Sequence, residues 1–178
     1  MFCDELKITV IAGNGGDGAA TFRREKFIAR GGPDGGDGGS GGDILFKVNT
    51  HLNTLSSLAN RKLYKADKGT NGQRKNCHGA CAEPLTLEVP LGTLIYTSDK
   101  KQLLADLTEE NQTFRVAKGG KGGLGNARFV SSTNQAPKFA ERGEPGEEKE
   151  LLLELSLVAD IAIIGLPSAG KSTLINTW

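Results

Sequence analysis

Cysteine is scarce in this chain: Cys3, Cys77 and Cys81 are the only three in 178 residues. A set so sparse and odd in number excludes the disulfide framework of a small secreted scaffold, and the three are read as free thiols. Long apolar runs are also missing, since none reaches the roughly 18 residues that a membrane span requires. The opening Met-Phe-Cys-Asp-Glu-Leu-Lys carries acids where a secretory signal needs a basic start, so the expected location is the cytoplasm. Nor is there an excess of either charge. The 22 Lys and Arg against 21 Asp and Glu exclude binding to polyanions through bulk charge, which leaves local clusters as the only electrostatic route to such partners. Two clusters stand out. Residues 61–75 hold Arg61, Lys62, Lys65, Lys68, Arg74 and Lys75 against Asp67, whereas residues 141–154 hold six Glu against Arg142 and Lys149.

What the chain has in abundance is glycine, 25 residues of it, and the placement matters more than the number. From Gly32 the sequence divides into Gly-Pro-Asp, Gly-Gly-Asp, Gly-Gly-Ser and Gly-Gly-Asp without a break. A polyproline II helix has three residues per turn, so glycine at every third position lines one edge with bare Cα atoms and lets another backbone approach. The spacing recurs at Gly13 and Gly16, at Gly69 and Gly72, and at Gly119, Gly122 and Gly125. Several such helices could therefore bundle. Flexible linkers are the competing account of Gly-rich sequence. Recurrence of the period in separated segments, each flanked by apolar strands, favours order.

Strand signals lie between the tracts. Leu6, Ile8 and Val10 alternate with Lys7 and Thr9, and Leu85, Leu87 and Val89 alternate with Thr86 and Glu88, the period of half-buried strands. Shorter strands are expected at Ile44 to Val48, Lys62 to Ala66, Thr93 to Tyr96, Leu103 to Leu107, Phe114 to Ala117 and Leu151 to Val158. Leu52, Leu55 and Leu58 predict a turn or two of helix over one end. A mainly β fold follows, a small barrel or sandwich carrying a glycine-rich polyproline II bundle, and 37% hydrophobic residues can supply its core.

A different chemistry is written at the C-terminal end. Gly165-Leu166-Pro167-Ser168-Ala169-Gly170-Lys171-Ser172-Thr173 fits G-x-x-x-x-G-K-[ST] and follows the apolar strand expected at Asp160 to Ile164. In such a loop successive backbone N–H groups converge on phosphate oxygens, and Gly165 and Gly170 stand where a side chain would obstruct them. Lys171 would reach the outer phosphates, Ser172 would ligate Mg²⁺, and the helix start would aim its positive end at the anion. Phosphate binding alone does not separate ATP from GTP. Hydrolysis needs further groups to hold the metal shell, place the attacking water and read the base, all from later segments, and only Leu174 to Trp178 follow the loop. The chain is therefore expected to bind nucleotide weakly and to turn none over.

Ordered along nearly the whole chain, several segments carry a family likeness. They are Phe22-Arg23-Arg24-Glu25-Lys26-Phe27, the Gly31 to Gly42 tract, Lys75-Asn76-x-His78-Gly79, Val89-Pro90-x-Gly92-Thr93, Gly119-Gly120-Lys121-Gly122-Gly123-x-Gly125-Asn126 and Gly143-Glu144-Pro145-Gly146. With the phosphate loop behind them, the chain resembles the Obg family of bacterial GTPases. The resemblance implies an Obg-type fold, six polyproline-type helices projecting from a small β-barrel over residues 1–158. The start of a P-loop α/β GTPase domain would occupy 159–178, cut short at Trp178. It further implies GTP or GDP with Mg²⁺ as cofactors, a part in large ribosomal subunit assembly and in stress responses, and insertion of the glycine-rich domain into a site rich in rRNA. Cys77 and Cys81 depart from the family pattern. They lie with His78 within five residues, but a tetrahedral zinc site needs a fourth ligand and only His51 or Cys3 remain, so solvated loop residues are the reading adopted.

Candidate RNA contacts are Arg23, Arg24, Lys26 and Arg30 beside the longest tract, and Arg74, Lys75 and His78 in another glycine-bearing loop. Each cation on an RNA backbone adds salt-sensitive affinity, and rigidly spaced loops suit recognition by shape. The bland account keeps Arg24 paired with Glu25, Phe22 and Phe27 in the core, and the charges merely solvated. Two other classes stay open: a protein-interaction module that touches no RNA, and an ATP-dependent P-loop enzyme.

Overall fold

The computed structural model describes residues 4–24 and 31–156. The phosphate loop from Gly165 to Thr173 and the strand expected before it, together with Lys26, Phe27 and Arg30, lie outside the described residues.

Among the described residues, eight strands form a base: β1 (Glu5–Ile11), β2 (Ile44–Val48), β3 (Leu63–Lys65), β4 (Leu85–Val89), β5 (Thr93–Thr97), β6 (Leu103–Leu107), β7 (Thr113–Ala117) and β8 (Glu148–Leu155). They make a five-stranded sheet, β3-β1-β8-β5-β6, and a three-stranded sheet, β4-β2-β7. The two sheets pool their apolar faces. Ile8 and Val10 of β1, Ile44, Phe46 and Val48 of β2, Val89 of β4, Ile95 of β5, Val116 of β7 and Leu151 and Leu153 of β8 join one buried cluster. Alternation places these side chains inward, as the period of two requires. Leu55 and Leu58 add to the cluster from α1 (Ser56–Ala59), a single turn where the leucine spacing predicts one or two. Strand β8 starts at Glu148, earlier than the apolar run predicts, because Glu148, Lys149 and Glu150 pair with β1 while remaining exposed. Between β4 and β5 the chain turns at Gly92, which has a φ of 78° that only glycine adopts without strain.

The glycine segments are excursions from this base. Residues 12–20 and 34–43 leave β1 and return into β2; residues 66–73 and 77–83 join β3 to β4; residues 118–126 and 141–147 join β7 to β8. Hydrogen bonds between them advance by three residues. The N–H groups of Gly13, Gly16 and Ala19 donate to the carbonyls of Gly42, Gly39 and Gly36, while those of Ala12, Gly15 and Gly18 donate to Glu147, Glu144 and Glu141. From the second segment, Gly36, Gly39 and Gly42 donate to Gln73, Thr70 and Asp67, and Gly38 and Gly41 donate to Gly123 and Gly120. A β-strand would send its bonds to two neighbours only. Here the three-residue repeat distributes them among more, and the segments pack as a bundle rather than a sheet.

Glycine is needed at these positions for space and not for dihedral freedom. Gly92 is the one glycine with positive φ among the described residues, yet a Cβ on almost any tract glycine would sit well under 3.0 Å from a carbonyl oxygen of the next segment. The polar third residues have work of their own. Asp37 and Asp43, each closing a Gly-Gly-Asp triplet, accept the N–H groups of Gly125 (2.8 Å) and Gly119 (2.7 Å), and Asp17 accepts that of Gly143 (2.9 Å).

Gly38→Ala would drive its methyl into the Gly16 carbonyl, whereas at Gly32 nothing lies within 4 Å. Urea unfolding should show a loss of about 3 kcal/mol or more for the first, the cost of overpacking against unyielding backbone, and within about 0.5 kcal/mol for the second. Equal stabilities would remove close approach as the reason for the period.

Candidate nucleic-acid interface at the glycine tips

Among the described residues, buried polar groups hold the three excursions together near their tips. Asp34, 7% exposed, accepts the Thr21 hydroxyl at 2.7 Å and the Lys75 N–H at 3.2 Å, while its own carbonyl accepts the Asn76 N–H at 2.7 Å. The bonds to Lys75 and Asn76 join the first tip to the second. Asn126, fully buried at the start of a 3-10 turn (Asn126–Phe129), accepts Gly35 N–H at 2.8 Å and donates to the carbonyls of Thr21 (2.9 Å) and Pro137 (3.1 Å). The bonds to Gly35 and Thr21 join the first tip to the third. Within the first tip, Phe22 bridges Pro33, and Arg23 N–H donates to Gly32.

The second tip turns through two consecutive left-handed residues, Lys75 (φ 62°) and Asn76 (φ 55°). Asparagine tolerates that region and lysine does so less readily, so the conformation rests on the bonds from Asp34. Its effect is to carry Arg74 and Lys75 across to the first tip. Phe22, Arg23, Arg24, Asp34, Arg74, Lys75 and Asn76 line one cavity of about 510 Å³. Two basic pairs about fifty residues apart in sequence thus meet around one space. Phe22 lies half-buried there and outside the apolar cluster, so it is not the core residue that the bland account makes it.

His78 goes elsewhere. Its Nδ1 accepts the Asp37 N–H at 3.1 Å and lies 3.4 Å from Asp37 Oδ2, in a smaller hollow of about 220 Å³ shared with Arg128. An Nδ1 that accepts this N–H has no proton to give Oδ2, so in this tautomer the hydrogen bond is the one from the Asp37 N–H and the 3.4 Å approach is not an ion pair. Arg128, which has no part in the sequence reading, reaches Asp37 Oδ2 through Nε at 3.1 Å and a terminal nitrogen at 3.0 Å. Burial pushes the Asp37 carboxyl upward, but the Gly125 N–H and the Arg128 guanidinium together outweigh it and hold it below its ordinary 3.8. Cys77 and Cys81 are exposed free thiols, and Ser40 holds the Cys81 thiol below its ordinary value by hydrogen bonding.

Comparison with known sequences decides the lineage. A sequence model of the GTP1/OBG family matches residues 3–157. The chain belongs to that family. It is 54% identical over 175 residues to a GTPase Obg of Moorella thermoacetica, covering 98% of this chain and 41% of that protein. It is 52% identical over 176 residues to a GTPase Obg of Geobacillus thermodenitrificans, covering 99% and 41%. A GTPase Obg of Thermodesulfovibrio yellowstonii is 51% identical over 176 residues, 99% of this chain and 52% of that protein. The chain thus spans about two fifths to one half of the length of these relatives. For this member of the GTP1/OBG family, no helix among the described residues is long and apolar enough to cross a membrane.

The depressed Asp37 carboxyl has a definite pH consequence. A carboxyl held below its unfolded value stabilises the fold above that value, and the contribution is lost as pH falls through 3.8 toward the folded value. Asp37→Asn should therefore be clearly less stable than the parent at pH 6 and closer to it at pH 3, measured by urea unfolding. A gap independent of pH would deny the charge its role.

Proposed function

We propose that this chain is the ribosome-docking portion of an Obg-type GTPase, and that its tips contact rRNA of the large subunit. The observation that carries this reading is the meeting of Arg23 and Arg24 with Arg74 and Lys75 around one cavity at the tips. Among the described residues the lining holds four basic side chains and one carboxylate, Asp34, so a chain of almost balanced total charge has one locally basic region. Phosphate contacts supply salt-dependent affinity, and RNA is recognised mainly by shape and by splayed nucleotides. The bonds of Asp34 and Asn126 fix the described parts of the tips relative to one another, which lowers the ordering cost of binding there. On this reading the glycine segments are polyproline II helices over residues 1–158, a form consistent with bonds that advance by three, and the protein works in the cytoplasm in subunit assembly and stress responses.

The same reading makes Gly165 to Thr173 a guanine-nucleotide loop, with Lys171 toward the outer phosphates and Ser172 toward Mg²⁺, whose charge would offset that of the phosphates. The names of the relatives favour guanine over adenine. Residues 1–178 alone hold no segment that would read the base or place the attacking water. Incubated with GTP and Mg²⁺, this chain should release no phosphate above background, and stoichiometric turnover would overturn that part of the proposal.

A protein-interaction role has one observation in its favour. At the third tip Phe129 and Phe139 pack with ring centroids 4.9 Å apart, and Phe139 remains 54% exposed. Sedimentation with large ribosomal subunits at two salt concentrations separates the readings. Arg74→Glu with Lys75→Glu should lower affinity at least about tenfold and flatten the salt dependence by about two phosphate contacts. Unchanged binding would favour the protein partner.

A further inference from the structure

Resting on the docking reading, we propose that the cavity between the first and second tips is a pocket for one unstacked nucleotide of single-stranded RNA. Its phosphate would lie between Arg23 and Arg24 on one side and Arg74 and Lys75 on the other, and its base would lie against Phe22. The lining supplies each kind of group that a nucleotide needs. Cations come from two separate segments, so an anion between them is clamped and not merely touched. Phe22 offers an aromatic surface, held in place by its bridge to Pro33. Stacking a base on such a ring adds affinity without regard to sequence.

Asp34 places a carboxylate in the same lining, which excludes a second phosphate from the floor. It is not a free anion either. One oxygen takes the Thr21 hydroxyl and the other the Lys75 N–H, yet a carboxylate accepts about four hydrogen bonds, so acceptor capacity remains for a base amino or imino group. A volume of about 510 Å³ falls within the range of small-ligand pockets and is too small for a duplex. The left-handed turn at Lys75 and Asn76 also gains a purpose. It carries the second pair of cations over the first tip, and the bonds from Asp34 maintain it without any ligand.

Titration of the full chain by NMR with uridine 5′-monophosphate, uridine and inorganic phosphate tests the pocket. The monophosphate should bind at least about ten times more tightly than either fragment, because it alone uses both the cations and the ring. Arg74→Glu with Lys75→Glu should weaken it at least about tenfold, and Lys101→Glu, the same change in the β5–β6 turn, should alter it less than about twofold. Phe22→Leu preserves apolar bulk beside Pro33 and should weaken the monophosphate while leaving inorganic phosphate unchanged. Equal binding of phosphate and monophosphate, or no effect of Phe22→Leu, overturns the nucleotide pocket. If charge reversal abolishes subunit binding but the parent chain ignores the monophosphate, this inference fails and docking stands. Monophosphate binding with unchanged subunit binding supports the pocket and overturns docking.

Discussion

A carbonyl oxygen occupies the place where a side chain would begin, and that substitution governs the glycine region. At Gly15 the occupant is the Lys121 carbonyl, at Gly39 that of Ala80, and at Gly122 that of Gly38. Segments this close need no apolar side chains between them. Their cohesion comes from backbone hydrogen bonds and close dispersion contact, each bond contributing about 0.5–1.5 kcal/mol net. The base works differently, since Phe46, Ile44, Leu151 and Leu153 bury apolar surface there. One molecule is thus held by two kinds of force, and the glycine half tolerates an added methyl far less than the leucine half tolerates a lost one.

The two halves are continuous in register. Strands β1 and β3 pair in parallel through Ile11 and Lys65, and the next bonds, Ala66 to Ile11, Gly69 to Asn14 and Gly72 to Asp17, continue in the same direction. Strands β1 and β8 run antiparallel, and Ala12 to Glu147, Gly15 to Glu144 and Gly18 to Glu141 extend that pairing. Both pairings of β1 therefore continue as glycine pairings once the repeat changes from two residues to three. The tips inherit their positions from the hydrophobic core.

Much of this was legible in residue pattern. Alternation located β1 and β4, short apolar runs located β2 and β5 to β7, and the glycine period announced close backbone approach. The early start of β8 was hidden because Glu148 to Glu150 are exposed and give no apolar signal. Parallel pairing was hidden too, since it depends on excursions whose length says nothing of direction. At the site, Arg23, Arg24, Arg74 and Lys75 could be listed as basic, but their meeting depends on Asp34, which looked like one more triplet filler. Arg128 carried a readable hint only in hindsight: it stands three residues after Gly125, whose N–H shares Asp37 with it.

The fate of His78 shows how the tips sort their cations. The Lys75 backbone N–H is bound to the Asp34 side chain and Lys75 lines the larger cavity, whereas His78, three residues on, accepts the N–H of Asp37. Successive acids of the period-three tract, Asp34 and Asp37, thus do opposite things to the same neighbouring loop. Asp34 uses its carboxylate on the Thr21 hydroxyl and the Lys75 backbone N–H. Asp37 uses its carboxylate on Gly125 and Arg128, and so withdraws one guanidinium from any external anion. The spacing that lets backbones touch also divides the charges between those that hold the bundle and those presented outside it. Because Arg128 and His78 stay with Asp37, fewer cations share the cavity proposed for docking, and their mutual repulsion is smaller.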